Sequence, residues 1–194
     1  MKKALAILSL FGLIESSYSQ DIMSQFFDPR DGQEYETIII ELTTAEGVSS
    51  MQEWMTTNLN YASEDSYCYH NYQQYCDAFG RLYPWKVAMD ICPPGWHITR
   101  NIEWEMVMEK YGGIKAAGPA LKDGGESGIN LQSAGFGEPN GAYIDVGVDG
   151  YYWKQVKPGS TVPGTITVHS GVNYLTDDAV DETHFNSVRC VKDY

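Results

Sequence analysis

The sequence predicts one α+β domain, on three observations. A single amphipathic helix is expected over Arg100–Tyr111. β-prone runs flank it, Gln33–Leu42 and Trp54–Leu59 before it and further short runs from Ala142 onward. Between the helix and those later runs, Gly112–Gly141 is rich in glycine and poor in apolar runs, which marks long loops, and no repeat, linker or low-complexity tract divides the chain.

The elements follow in chain order. Lys2 and Lys3 precede an apolar run from Ala4 to Ile14, and Ser17 and Ser19 then supply small residues at the −3 and −1 positions of a signal-peptidase site. That run of about 11 residues is too short to cross a bilayer, which needs roughly 20. Residues 1–19 are therefore read as a secretory signal peptide and residues 20–194 as one mature domain with no transmembrane segment. Gln33–Leu42 carries Tyr35, Thr37, Ile38, Ile39 and Ile40, a run that turns continuously apolar and predicts a buried strand. Thr43–Ser50, with Gly47, is a polar connection, and Trp54–Leu59 a second strand. Pro84–Met89 is read as a short helix. In Arg100–Tyr111, Trp104, Val107, Met108 and Tyr111 fall at i, i+3, i+4 and i+7, with Thr99 or Asn101 near the start and Gly112-Gly113 past the end. Ala142–Val146, Tyr151–Val156, Thr165–His169 and Ser187–Lys192 are expected to close a sheet.

Charge narrows the partners. The chain carries a formal net charge of −13, and losing Lys2, Lys3 and Glu15 with the signal peptide leaves −14. A surface this acidic, with no basic run, repels nucleic acid and anionic lipid and leaves calcium open as a cofactor. The four cysteines, Cys68, Cys76, Cys92 and Cys190, read as two disulfides in an exported chain. Three pairings are open. The favoured one joins Cys68 to Cys76 around a Tyr-rich loop and Cys92 to Cys190 across 98 residues. A zinc site lacks any C-x-x-C spacing.

Several blocks carry a family resemblance. Phe27-Asp28-Pro29-Arg30-Asp31-Gly32-Gln33-Glu34-Tyr35 and Trp54-Met55-Thr56-Thr57-Asn58-Leu59-Asn60-Tyr61 are followed in order by Cys76, Gly80-Arg81-Leu82-Tyr83-Pro84-Trp85, Cys92-Pro93-Pro94-Gly95-Trp96-His97, Glu103-Trp104 and Ser187-Val188-Arg189-Cys190-Val191-Lys192-Asp193. This order resembles the Fibrobacter succinogenes major paralogous domain, a family of exported proteins from Fibrobacter and Bacteroidetes-type bacteria. It is similar, more remotely, to C-type-lectin-like and formylglycine-generating enzyme folds. The resemblance implies a C-type-lectin-like α+β fold of compact helices, a twisted antiparallel sheet and long loops. It also implies a disulfide that reaches the last strand. Thr43–Ser50 departs from the family pattern as an insertion, and Tyr151-Tyr152-Trp153-Lys154-Gln155 replaces a Trp-Ser-rich stretch.

Candidate sites are few. His70, His97, His169 and His184 are scattered and fall in no metalloprotease-type signature, and His97 is expected to pack or cap. The formylglycine-generating chemistry needs free thiols, whereas all four cysteines have a structural role. No catalytic residue is assigned, and no enzyme is expected. Glu138-Pro139-Asn140 resembles the triplet with which mannose-type C-type lectins hold calcium and sugar, and Asp177 and Asp178, with Asp181 and Glu182 beyond, are the stand-in oxygen donors. Pro139 and Gly141 equally suit a plain turn. Tyr67, Tyr69, Tyr72 and Tyr75 crowd the short cysteine loop, and exposed flat rings suit sugar stacking or protein adhesion. The expected function is a secreted, non-catalytic recognition or adhesion domain that meets glycans or cell-surface proteins through the loops around Tyr67–Tyr75 and Gly135–Tyr143. The alternatives are an enzyme of the formylglycine-generating fold and a structural component of an envelope assembly. Expected locations are the medium, the cell surface or the periplasm.

Overall fold

The computed structural model describes residues 22–156, 159 and 161–193, and the signal peptide expected over residues 1–19 lies outside them. β1 (Ile22–Phe27) and β2 (Glu34–Thr43) form an antiparallel hairpin, and β2 turns through Thr44–Val48 into β3 (Ser49–Met55). The polar Gly47 connection is thus a hairpin turn. α1 (Gln73–Phe79), β4 (Leu82–Pro84), α2 (Trp85–Ala88) and β5 (Trp96–Ile98) lead to α3 (Asn101–Lys110), the helix expected from the apolar spacing. Glu103 closes the start of α3 by accepting from the Arg100 N–H at 2.7 Å. After α4 (Gly118–Leu121) come β6 (Ala134–Gly137), β7 (Tyr143–Val146), β8 (Asp149–Lys154), β9 (Gly164–His169), β10 (Leu175–Ala179), β11 (Phe185–Ser187) and β12 (Cys190–Lys192).

Two sheets result. The first runs β1-β2-β3-β12-β5; the second runs β10-β9-β8-β11-β6-β7, with β4 added beside β11. Alternation along β2 turns Ile38, Ile40 and Leu42 inward, where Trp54 of β3 and Val191 of β12 join them. Across this core stand Tyr152, Ile166 and Val168 of the second sheet, and Trp104 and Val107 of α3 fill the space between. Trp54 and Trp104 meet edge-on at 5.4 Å. A second core gathers Tyr35, Met55, Tyr83, Trp96, Ile98, Trp153 and Val188 around α2.

The expected α+β, C-type-lectin-like class is corrected here. The described residues are mostly β, with twelve strands in two sheets and 17% helix, closer to a β-sandwich than to helices packed on one sheet. The physical reason lies in strand length. β4, β5 and β6 are only three or four residues long, too short for a local periodicity to announce them, and β4 and β5 pair with β11 and β12, far away in sequence. Ser187–Lys192, expected as one strand, breaks at Val188-Arg189: β11 belongs to the second sheet and β12 to the first. Trp54–Leu59, expected as a strand, is only its end, because β3 stops at Met55.

Both disulfides take the favoured pairing. Cys68–Cys76 spans 8 positions and Cys92–Cys190 spans 98, tying the α2–β5 segment to β12.

Candidate functional site

The Cys68–Cys76 bridge frames a compact aromatic surface. Inside it, Tyr69–Asn71 make one 3-10 turn, with His70 and Asn71 in left-handed conformation at φ 52° and 59°. This twist lets the loop reverse within a few residues and leaves His70, Asn71 and Tyr72 exposed while Tyr69 turns inward. Asn tolerates the conformation, whereas for His it is uncommon.

The four tyrosines have distinct places. Tyr72 is 62% exposed. Tyr67 and Tyr75 are half-buried, and Tyr67 stacks on Phe185 of β11 at 4.2 Å. Tyr69 is a buried hub whose ring meets His70 at 4.8 Å, Tyr75 at 5.3 Å and Tyr143 of β7 at 5.2 Å. Tyr143 donates its hydroxyl to Asn71 Oδ1 at 3.3 Å, and burial, with Tyr67 as a smaller cause, raises its ionisation above the ordinary tyrosine range. The structure thus joins the two loops singled out in the sequence, since Tyr143 closes the patch opened by Tyr67–Tyr75. Exposed His70 and half-buried Phe185 were not among the site residues expected from the sequence, because only the tertiary contacts bring them beside the tyrosines. This patch offers flat apolar faces rimmed by phenol, imidazole and amide groups.

The calcium candidates fall in two places. Glu138 and Asn140 lie in the β6–β7 turn, where Asn140 donates to Glu138 Oε2 at 2.8 Å and accepts from the Ala142 N–H at 2.7 Å. The turn is closed by its own residues. Asp177 and Asp178 lie on β10, at the opposite edge of the second sheet. There Asp177 pairs with the nearly buried Lys154 ammonium beside a cleft of about 290 Å³, and Asp178 accepts from Thr176. The structure does not bring the four oxygen donors to one point, and among the described residues no three His, Cys, Asp or Glu side chains form a metal-holding group.

His97 sits between two carboxylates, with Nδ1 2.7 Å from Asp193 Oδ1 and Nε2 2.8 Å from Glu103 Oε1. It ties β5 to the start of α3 and to the residue after β12. This is a packing and bracing position.

The blocks that surround these elements are shared with other proteins. A family model, the Fibrobacter succinogenes major domain, matches residues 48–192. The chain belongs to that family. The Fibrobacter major domain here takes in both disulfides, the aromatic loop, α3 and the β11–β12 segment. It leaves out β1 and all of β2, so the resembling block from Phe27 to Tyr35 lies outside the match. No curated protein and no solved structure matches the chain.

Proposed function

We propose that this Fibrobacter major domain is a secreted, non-catalytic recognition module that meets glycans or cell-surface proteins through the patch framed by Cys68–Cys76. The observation that carries the reading is the patch itself. Tyr72 is 62% exposed on the disulfide-held loop, where Tyr69 meets His70, Tyr75 and Tyr143 of β7, and Tyr67 just outside the bridge stacks on Phe185. Rigid aromatic side chains give large contact area at small entropic cost, and the bridge holds the loop in place before a partner arrives. Export is supported by the Lys-Lys and apolar start of the sequence and by two disulfides, which persist in oxidising compartments. No described helix is long and apolar enough to cross a membrane. The non-catalytic reading is supported by the pairing of all four cysteines, which leaves no free thiol for chemistry of the formylglycine-generating kind.

The test is binding of the fluorescently labelled mature domain to a glycan array and to intact cell surfaces. The double variant Tyr72→Ala/Tyr143→Ala should lose binding about tenfold or more while its circular dichroism stays unchanged. Full binding by that variant, or none by the unaltered domain, would sink the reading. Protease treatment of the cells then separates a protein target from a glycan.

A further inference from the structure

The face of the second sheet turned away from the main core carries a separate constellation. Tyr151 pairs opposite Thr167 and Asp149 opposite His169, so these four side chains share the face opposite Tyr152, Ile166 and Val168. The parallel pairings Gly135 with Gly150 and Ser187 with Tyr152 put Phe136 and Asn186 on that same face. Three rings line up along it. Phe136 lies 4.8 Å from Tyr151, edge to face at 63°, and 5.3 Å from His184. All three are half-buried, backed by the sheet with part of each ring open.

The row is held in position. Tyr151 donates its hydroxyl to Asp145 Oδ2 at 2.7 Å, and Asp145 takes a left-handed conformation at φ 66°. Burial, then this hydrogen bond, raise the Tyr151 ionisation well above the ordinary tyrosine value, so the phenol stays a neutral donor. An independent observation concerns the sheet beneath. Thr167 and Asn186 are each 1% exposed, yet the Thr167 hydroxyl and both amide atoms of Asn186 have no hydrogen-bond partner among the described residues. Buried polar atoms are normally paired, and three unpaired ones beneath an aromatic row mark a place where bridging waters link the sheet to a polar guest above it.

We propose that this face binds a neutral, hexose-based glycan. A pyranose ring presents C–H groups on one face and hydroxyls around its rim. The C–H face suits the negative faces of Phe136 and Tyr151, and the hydroxyls suit the half-buried carboxylates of Asp145 and Asp149, with Asn186 and Thr167 beneath reached only through water. Charge selects among glycans. Asp145, Asp149 and Asp178 stand on or beside this face in a chain of net charge −13, so uronate, sulfate and phosphate groups are repelled. The site is distinct from the disulfide-loop patch, and either can fail without the other.

The test is calorimetry of the mature domain with neutral gluco-, manno- and galacto-hexasaccharides, with an oligogalacturonate as the anionic control. At least one neutral hexasaccharide binds, and Tyr151→Ala and Phe136→Ala each weaken it by about tenfold or more. Tyr151→Phe, which keeps the ring and loses only the Asp145 tether, costs less. Tyr72→Ala, on the other patch, changes nothing. The proposal is overturned if no neutral hexasaccharide binds, if the oligogalacturonate binds as well as they do, or if natively folded Tyr151→Ala binds normally. Should Tyr151→Ala fail to fold, NMR titration of the unaltered domain decides: the Phe136, Tyr151 and His184 ring signals move with the sugar, or the proposal falls.

Discussion

Arg189 is fully buried and has no carboxylate among its hydrogen-bond partners. Its guanidinium instead donates to four oxygens: Met55 O at 2.8 Å, Ile129 O at 2.6 Å, Asn58 Oδ1 at 2.7 Å and Asn130 O at 3.1 Å, with the Tyr152 ring at 5.7 Å. Burial pulls its ionisation below the usual arginine value, with Tyr152 partly offsetting it. The planar fork reaches the end of β3 and the loop before β6 at once, which a single ammonium cannot do. Arg189→Lys should therefore lower unfolding stability by about 3 kcal/mol, through stranded carbonyls and a poorly solvated charge. Urea denaturation measures it, and a loss below about 1 kcal/mol would show that the four contacts are dispensable. Nothing in Ser187–Lys192 as a sequence announces this role. A lone arginine in a β-prone run reads as a solvated side chain, and its burial depends on residues 59 to 134 positions away.

At the scale of elements, legibility followed locality. α3 was readable because its apolar stripe and its end signals lie within a dozen residues. The β2–β3 hairpin was half readable, since the Ile38–Ile40 run declared a buried strand but Ser49–Met55 carries polar residues whose burial comes from the sheet. β4, β5, β6 and β10 were not readable, as each is fixed by a partner strand rather than by its own pattern. The same holds for the candidate sites. The tyrosine loop stood out by composition, whereas Phe136, Tyr151 and His184 come together only through sheet register. The two disulfides also differ as elements. On the chain-entropy account the 98-residue link stabilises by about 4.7 kcal/mol and the short one by about 2.5. Replacing Cys92 and Cys190 together by Ser should therefore lower the urea midpoint more than replacing Cys68 and Cys76. Equal shifts would show that strain or residual structure, not loop closure, sets the effect.

At the scale of the molecule, the family match and the folding unit do not coincide. The match begins at residue 48, yet Ile38, Ile40 and Leu42 of β2 are 0–4% exposed and form one wall of the main core. A chain cut to residues 48–192 loses that wall and leaves β3 as a bare edge carrying Trp54. Each lost side chain removes roughly 1.5–3 kcal/mol of burial, together about 4.5–9 kcal/mol, which is comparable with the whole net stability of about 5–15 kcal/mol of an ordinary domain. The cut chain should show no cooperative thermal transition, while residues 20–194 should melt sharply. A cooperative melt of the shorter chain would mean that β3 and α3 close the core by themselves.

β12, only three residues long, lies between β3 and β5 in the first sheet, and its Cys190 holds the long disulfide. A growing chain can therefore pair β1, β2 and β3 early, but β5 has no neighbour until residue 190 has been made. For most of its synthesis the first sheet is obliged to stay open, with Trp54 and Ile98 lacking the strand that seals them. The last residues, β11 in the second sheet and β12 in the first, are thus the ones that complete both sheets.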